Sequence, residues 1–364
     1  MTNYHRPELN TIPPAAHGAF DYAELAALGH QPEAVLDFSV NSNPFGPSPA
    51  VRRALAETPP DRYPDREAIA LRQALAARFG LPAENIVAGN GTAELFWLLA
   101  FATLRPGDSV YLIEPTFGEY RRVAGLMGAR VHSHRAQPDA FAPDAAAIAT
   151  DLRRLRPRLA FVCNPNNPTG VLLPPAQIAE WAQAAPETLL VVDESYLGFT
   201  PEGESALGLG ADNVLVVRSL TKDYALAGLR LGFAAGHNLP LVRAIAAVRP
   251  AWNVSGPAQA AGLAALADDA YLQECLTRLH RAKSQLVAGL RKLGYAPLES
   301  AVHYFLLRVG HADAFRRALL RHGLQVRDCA SFGLPEFVRL APRTEAENRR
   351  LLETLREWQM ANSK

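Results

Sequence analysis

Cysteine is scarce in this chain: three occur in 364 residues, at Cys163, Cys275 and Cys329. Their wide spacing makes neither a disulfide framework nor a zinc motif, and it points to a reducing compartment. Charge of one sign is missing too. Lys and Arg total 37 against 36 for Asp and Glu, and no basic run exceeds two residues. Nucleic-acid binding by bulk charge is thereby excluded. The longest apolar run, Leu95 to Ala102, is far too short to span a bilayer. The first ten residues, MTNYHRPELN, are polar and carry no signal segment. These absences predict a soluble, cytoplasmic protein with no membrane or nucleic-acid partner. What is present is apolar content of 49%, enough for a large core. The length suggests two domains, or one large domain with an appendage.

The order of elements is informative. Residues 1 to about 34 read as an irregular arm, followed by a strand from Val35 to Val40 and the turn Asn41-Ser42-Asn43-Pro44-Phe45-Gly46. Helices are predicted over Pro49–Glu57, capped by Ser48, and over Arg66–Phe79. From Ile86 the pattern becomes strand, glycine turn, helix, with the helix over Ala93–Leu104. Strands recur at Val110–Ile113, Val131, Leu159–Cys163, Leu189–Val192, Val214–Val217 and Leu231–Ala234. Apolar strands alternating with helices predict an α/β protein whose parallel sheet is covered on both faces. A long helical stretch follows Ser255, with a break near Asp268-Asp269. The last part reads strand, helix, strand, helix: His303–Val309, Ala312–Arg321, Phe337–Leu340 and Glu345–Trp358. The expected division is an arm over 1–46, a large domain over 47–254, a helical connection over 255–294 and a small α+β domain over 295–364.

Sites in such sheets lie at the carboxyl ends of strands, and four motifs fall there. Lys222 follows the strand Val214–Val217, with Ser219 and Thr221 before it and Arg230 after it. A lysine at a buried strand end is costly unless paired, and a Schiff base to a carbonyl cofactor removes its charge. Hydroxyls and an arginine suit a phosphate. Together they suggest pyridoxal 5'-phosphate. Asp193 ends Val191-Val192-Asp193 and can pair with a protonated pyridine nitrogen. Asn167 sits in Asn164-Pro165-Asn166-Asn167-Pro168-Thr169-Gly170, whose prolines pre-set the backbone. Phe117, in Pro115-Thr116-Phe117, can stack on a ring. Each motif alone has a plainer reading: a surface lysine, an N-cap aspartate, a turn, a core aromatic. Their order is what gives them weight. Asn167, Asp193, Lys222 and Arg230 are spaced by 26, 29 and 8 residues along successive strand ends.

That combination, over nearly the whole chain, resembles the fold-type-I pyridoxal-phosphate enzymes of the aspartate aminotransferase superfamily. The resemblance implies a large domain with a mostly parallel seven-stranded sheet between helices, plus a small α+β domain. It implies that Lys222 holds the cofactor and later moves the proton, and that Asp193 holds the ring nitrogen. Asn167 and Tyr196 would bond the ring oxygen, and Phe117 would stack on the ring. Ser219, Thr221 and Arg230, with Gly91 and Thr92 at a helix N-terminus, would hold the phosphate, where free amides and the helix dipole favour an anion. Tyr63, in Tyr63-Pro64-Asp65, matches a tyrosine that reaches the neighbouring subunit's phosphate, which implies a homodimer. Two other readings fare worse. Gly89-x-Gly91 begins like a dinucleotide fingerprint, but Glu94 stands at the third glycine position. An effector domain of a transcription regulator needs a DNA-binding module ahead of the fold, and no such pattern precedes it here.

Within the superfamily the chain resembles the histidinol-phosphate aminotransferase group, which includes L-threonine-O-3-phosphate decarboxylase of cobalamin synthesis. Asn41-x-Asn43-Pro44-Phe45-Gly46, Tyr63-Pro64-Asp65 and Gly228-Leu229-Arg230-Leu231-Gly232 are shared by both. Ala16-His17-Gly18, Ser219-Leu220-Thr221-Lys222-x-Tyr224-Ala225 and Val326-Arg327-Asp328-Cys329, followed by Ser331-Phe332, favour the decarboxylase. Ala19, where the arm usually has a second glycine, and the aromatic-Ala-Leu-Ala-Gly run after the lysine favour the aminotransferase. The expectation is decarboxylation of threonine phosphate, a lyase reaction, with histidinol-phosphate transamination as the alternative. The resemblance assigns Arg327 and Arg339 to the substrate anions, and His17 and Asn41 to a substrate-phosphate pocket. No metal site is expected; His132 and His134, alternating on one strand, are read as structural.

Overall fold

A computed structural model describes residues 4–362. Twelve strands build its sheets: β1 Leu36–Asp37, β2 Ile86–Gly89, β3 Ser109–Glu114, β4 Arg130–Arg135, β5 Leu159–Cys163, β6 Leu189–Asp193, β7 Val214–Ser219, β8 Gly232–Gly236, β9 Phe305–Arg308, β10 Leu324–Gln325, β11 Arg327–Asp328 and β12 Phe337–Leu340. The main sheet has seven strands in the order β2-β8-β7-β6-β5-β3-β4. Only β8 runs against the others, pairing antiparallel with β2 and β7.

The central strands are apolar on both sides because both sides are covered. Along β5 and β6, Ala160, Val162, Leu190 and Val192 enter one core, while Leu159, Phe161 and Val191 enter the other. That is why these segments lack the alternation of a half-exposed strand. The polar residues that close the strands, Asp193 on β6 and Ser219 on β7, emerge at one edge of the sheet. The chain order reverses between β5 and β3, so this edge is also the switch point where a crevice opens.

A three-stranded antiparallel sheet, β11-β12-β9, faces that edge, and β1 of the arm pairs parallel with β10 beside it. Several predicted bounds shift for local reasons. The second helix starts at Ile69, not Arg66: the Asp65 carboxylate accepts the N–H groups of Glu67 and Ile69, at 2.9 and 2.6 Å, and Ala68 is left-handed. The strand after the arm shrinks to Leu36–Asp37, because Asp37 Oδ1 accepts both the N–H and the hydroxyl of Ser39. The helix after β2 starts two residues early, at Gly91. The break in the long helical stretch lies where the sequence puts it. Asp268 caps the helix Asp269–Lys292, and Ser255 caps Gly256–Leu266. Among the described residues no helix is long and apolar enough to cross a membrane.

Candidate active site

A cavity of about 320 Å³ opens between the carboxyl edge of the main sheet, the arm and the three-stranded sheet. His17, Asn41, Thr92, Phe117, Asn167, Asp193, Tyr196, Thr221, Lys222, Arg230, Arg327 and Arg339 all line it. Segments more than 300 residues apart thus meet at one place. Gly91 and Ser219 stand just behind the wall. The Ser219 and Thr221 hydroxyls lie 2.6 Å apart. Gly91 has φ +75°, and a Cβ there would sit 2.6 Å from Arg230 Nη2. The glycine therefore lets a guanidinium approach a helix start whose amides are free. Tyr63 lies elsewhere, 81% exposed and stacked on Trp252 at 4.6 Å.

Lys222 is buried, and its surroundings disfavour its charge. Burial first, then Arg339 and Arg230, bring its ammonium down to about 8, while Asp193 pulls the other way. Asp193 is pushed above the usual carboxylate range by burial, which is opposed by donors from Ser195 and Tyr120. Ser195 gives its N–H and its hydroxyl to Oδ1 at 2.9 and 2.6 Å; the Tyr120 phenol gives its O–H to Oδ2 at 2.5 Å. Burial raises the Tyr196 phenol to about 12, so it stays protonated.

The opposite wall is less complete. Arg327 and Arg339 stand directly across from each other on β11 and β12. Like charges at such a position repel. Arg339, 4% exposed, donates to Ser39 O at 2.6 Å and to Asn167 Oδ1, yet among the described residues its Nε has no partner. Arg327 bonds Ala16 O and the Ser331 hydroxyl, at 3.0 and 2.6 Å. Asn41 is buried beside the Tyr196 phenol, and among the described residues neither of its amide atoms has a hydrogen bond of full geometry. His17 is half-exposed, 3.3 Å from the buried Glu119. Ala19 adopts φ +82°, a conformation that favours glycine, and its N–H reaches Ser39 Oγ at 2.9 Å. His134, away from this cavity, faces the Asp144 N–H at 3.3 Å.

Sequence reasoning missed Tyr120, Ser195, Ser39 and Glu119. Ser195 carries a usable signal, since a serine two residues after an aspartate commonly folds back on it. Tyr120 carries the spacing: it follows Phe117 by one helical turn.

The sequence model of the family described as "Aminotransferase class I and II" matches residues 33–355. The chain belongs to this family. A histidinol-phosphate aminotransferase from Symbiobacterium thermophilum is 41% identical over 87% of this chain and 88% of its own length. Another, from Moorella thermoacetica, is 36% identical over 89% and 85%. The crystal structure of histidinol-phosphate aminotransferase from Sinorhizobium meliloti, in complex with pyridoxal-5'-phosphate, matches with a TM-score of 0.87 at 25% identity, covering 98% of this chain and 99% of that one. The fold is therefore the fold-type-I one, and this aminotransferase is a pyridoxal-phosphate enzyme.

These findings overturn the expectation of a threonine-phosphate decarboxylase. A structure of that decarboxylase, from Porphyromonas gingivalis, shares the fold with a TM-score of 0.77 at 26% identity. The curated relatives at 32–41% identity are named for histidinol phosphate. The geometry explains the misreading. In Arg327-Asp328-Cys329, Asp328 accepts the Ala330 N–H at 2.6 Å to make a turn, and Cys329 is core. Two of the three residues are structural and carry no information about the reaction.

Pyridoxal phosphate fits the residues present. The lysine amine is buried and readily neutral, a buried carboxylate stands across from it, and Gly91 leaves room for the anion-binding arginine.

Proposed function

We propose that the protein transfers the amino group of histidinol phosphate to a 2-oxo acid. The observation that carries this reading is the opposed pair Arg327 and Arg339, which shares a cavity with Lys222. An anion bound beside either arginine offsets their repulsion, and at Arg339 it supplies the acceptor that Nε lacks among the described residues. The names of the relatives support the choice of phosphorylated amine.

When bound, the cofactor supplies a carbonyl that takes up the amine and a ring that withdraws electrons. The chain does the rest. Lys222, as a neutral amine, takes the proton from the substrate carbon and returns it. Asp193 holds the ring-nitrogen proton. Asn167 uses its amide N–H, since its oxygen is tied to Arg339, and Tyr196 its phenol; both bond the ring oxygen. Phe117 lies against the ring. Ser219, Thr221, Arg230 and the amides at Gly91 and Thr92 hold the cofactor phosphate. Arg327, His17 and Asn41 take the substrate phosphate, and the more deeply buried Arg339 takes the acceptor's carboxylate.

The same reading includes a homodimer in which exposed Tyr63 completes the neighbour's phosphate site. It includes the division at 1–46, 47–254, 255–294 and 295–364, with β1 tying the arm to the C-terminal unit. A reducing, cytoplasmic setting agrees with three free, buried cysteines. The test is to supply histidinol phosphate with 2-oxoglutarate and measure glutamate. Glutamate formation is expected. Its absence, with carbon dioxide released from threonine phosphate instead, would overturn the reading.

A further inference from the structure

The first turn of the helix Gly118–Leu126 carries a buried hydroxyl that none of the motifs names. Tyr120 is fully buried. Its ring lies parallel to Phe161 on β5, at 4.7 Å and 8°, and meets Phe96 and Phe117 edge-on at 5.0 and 5.5 Å. A phenylalanine would fill that box equally well, so packing does not call for the hydroxyl. A buried hydroxyl costs energy unless it has a partner. Here the partner is Asp193 Oδ2, at 2.5 Å.

The other oxygen, Oδ1, is held by two donors from Ser195. Three donors from two elements therefore fix the carboxylate plane. Oδ2 keeps a second lone pair, and Asp193 borders the cavity. Phe117, three residues earlier, borders the same cavity. One helical turn thus supplies both a ring-stacking residue and a clamp on the carboxylate.

We propose that Tyr120 is the positioning residue for Asp193: its O–H, locked by the aromatic box, aims the carboxylate at the cofactor's ring nitrogen and favours its ionised form. The proposal rests on Asp193 serving that nitrogen. A carboxylate without this donor is freer to rotate and easier to protonate, and a neutral partner cannot keep the ring nitrogen protonated. The titratable groups that interact with Asp193 are Tyr120, Cys163, Lys222, Glu194, Tyr196 and Tyr304, and Ser195 adds two neutral donors. Burial first, and Asp193 next, push the Tyr120 phenol well above its ordinary range, so it stays a donor. Cys163, paired in register with Asp193, is likewise pushed up by burial and remains a thiol.

The test uses holoenzyme loaded with ring-nitrogen-labelled pyridoxal phosphate, in wild type, Tyr120→Phe, Ser195→Ala and Asp193→Asn. Loss of one hydrogen bond to a charged group predicts that Tyr120→Phe lowers kcat about 10- to 100-fold with little change in KM. The nitrogen NMR shift should move toward the unprotonated ring, and Ser195→Ala should move it the same way by less. If Asp193→Asn leaves the shift unchanged, the role of Asp193 fails and this proposal fails with it. If Asp193→Asn moves the shift and Tyr120→Phe alters neither shift nor kcat, the role of Asp193 stands and Tyr120 is only packing. A lowered melting temperature alone would also mark it as packing.

Discussion

The two walls of the cavity solve opposite problems. The sheet wall satisfies its polar groups internally. Asp193 has three donors, and Ser219 and Thr221 bond each other; Asn167 is the exception, reaching across to Arg339. The arm wall does not. Among the described residues Arg339 Nε is unpartnered, buried Asn41 has only the Tyr196 phenol beside its amide, and two arginines are cross-strand neighbours. Such groups are expensive in a protein that never fills the space. The first wall is a preorganised holder for a resident cofactor, and the second is complete only when a transient anion arrives.

If that contrast is right, the largest loss comes from the sheet wall. Lys222→Ala should lower turnover by about 10⁴-fold or more, since both nucleophile and proton carrier disappear. The melting temperature should hold, because a buried lysine lends no packing that alanine badly lacks. Mixing this variant with an inactive Tyr63→Ala variant should restore one working site per heterodimer. A mixture that stays dead, or active monomers in light scattering, would break the shared-site idea.

Next come the arginines, whose effects should divide by half-reaction. Losing a buried charge-assisted contact predicts a fall in kcat/KM of about 10²-fold. Arg339→Gln should show it chiefly for the 2-oxo acid, and Arg327→Gln chiefly for the phosphorylated amine. Stopped-flow traces of each half-reaction would tell them apart. Equal losses in both would erase the assignment of one arginine to each anion.

A pH experiment couples the walls. With Lys222 at about 8, about one amine in ten is neutral at pH 7, against on the order of one in a few thousand for an ordinary lysine. The depressed value means the neutral form dominates above about 8, so covalent uptake of pyridoxal phosphate by apoprotein should rise with pH through that value. Arg339→Gln removes a cation that disfavours the ammonium, so the midpoint should move up. An unmoved midpoint would show that burial alone sets it.

The smallest expected effect is at the phosphate cradle. Gly91→Ala puts a Cβ against Arg230 at a residue with φ +75°. Cofactor affinity, read by equilibrium dialysis, should weaken about tenfold. Unchanged affinity would mean that Arg230 can step back without losing the anion.

The contrast also explains what the sequence disclosed. The sheet wall comes from strand ends in regular succession, so Asn167, Asp193, Lys222 and Arg230 were legible as a spaced series. The central strands of the main sheet were legible as apolar runs that it buries on both faces, whereas the edge strand β4 is polar and largely open. The arm wall is assembled by tertiary contact from residues 17, 41, 327 and 339, and no local pattern reports which anion they share. Arg327-Asp328-Cys329 looked like a substrate signature because nothing in a string distinguishes a turn aspartate and a core cysteine from ligands. Tyr120 showed only its spacing after Phe117; its hydroxyl matters because it reaches the carboxylate that ends β6.

The most direct measurement compares kcat/KM for histidinol phosphate and for histidinol, with the same enzyme and 2-oxoglutarate. The arm wall, as an anion site awaiting its charge, predicts that removing the phosphate costs about 10³-fold or more, because Arg327 and the buried Asn41 then lose the charged acceptor. Arg327→Gln should shrink that ratio. Similar values for the two amines, with or without Arg327, would contradict it.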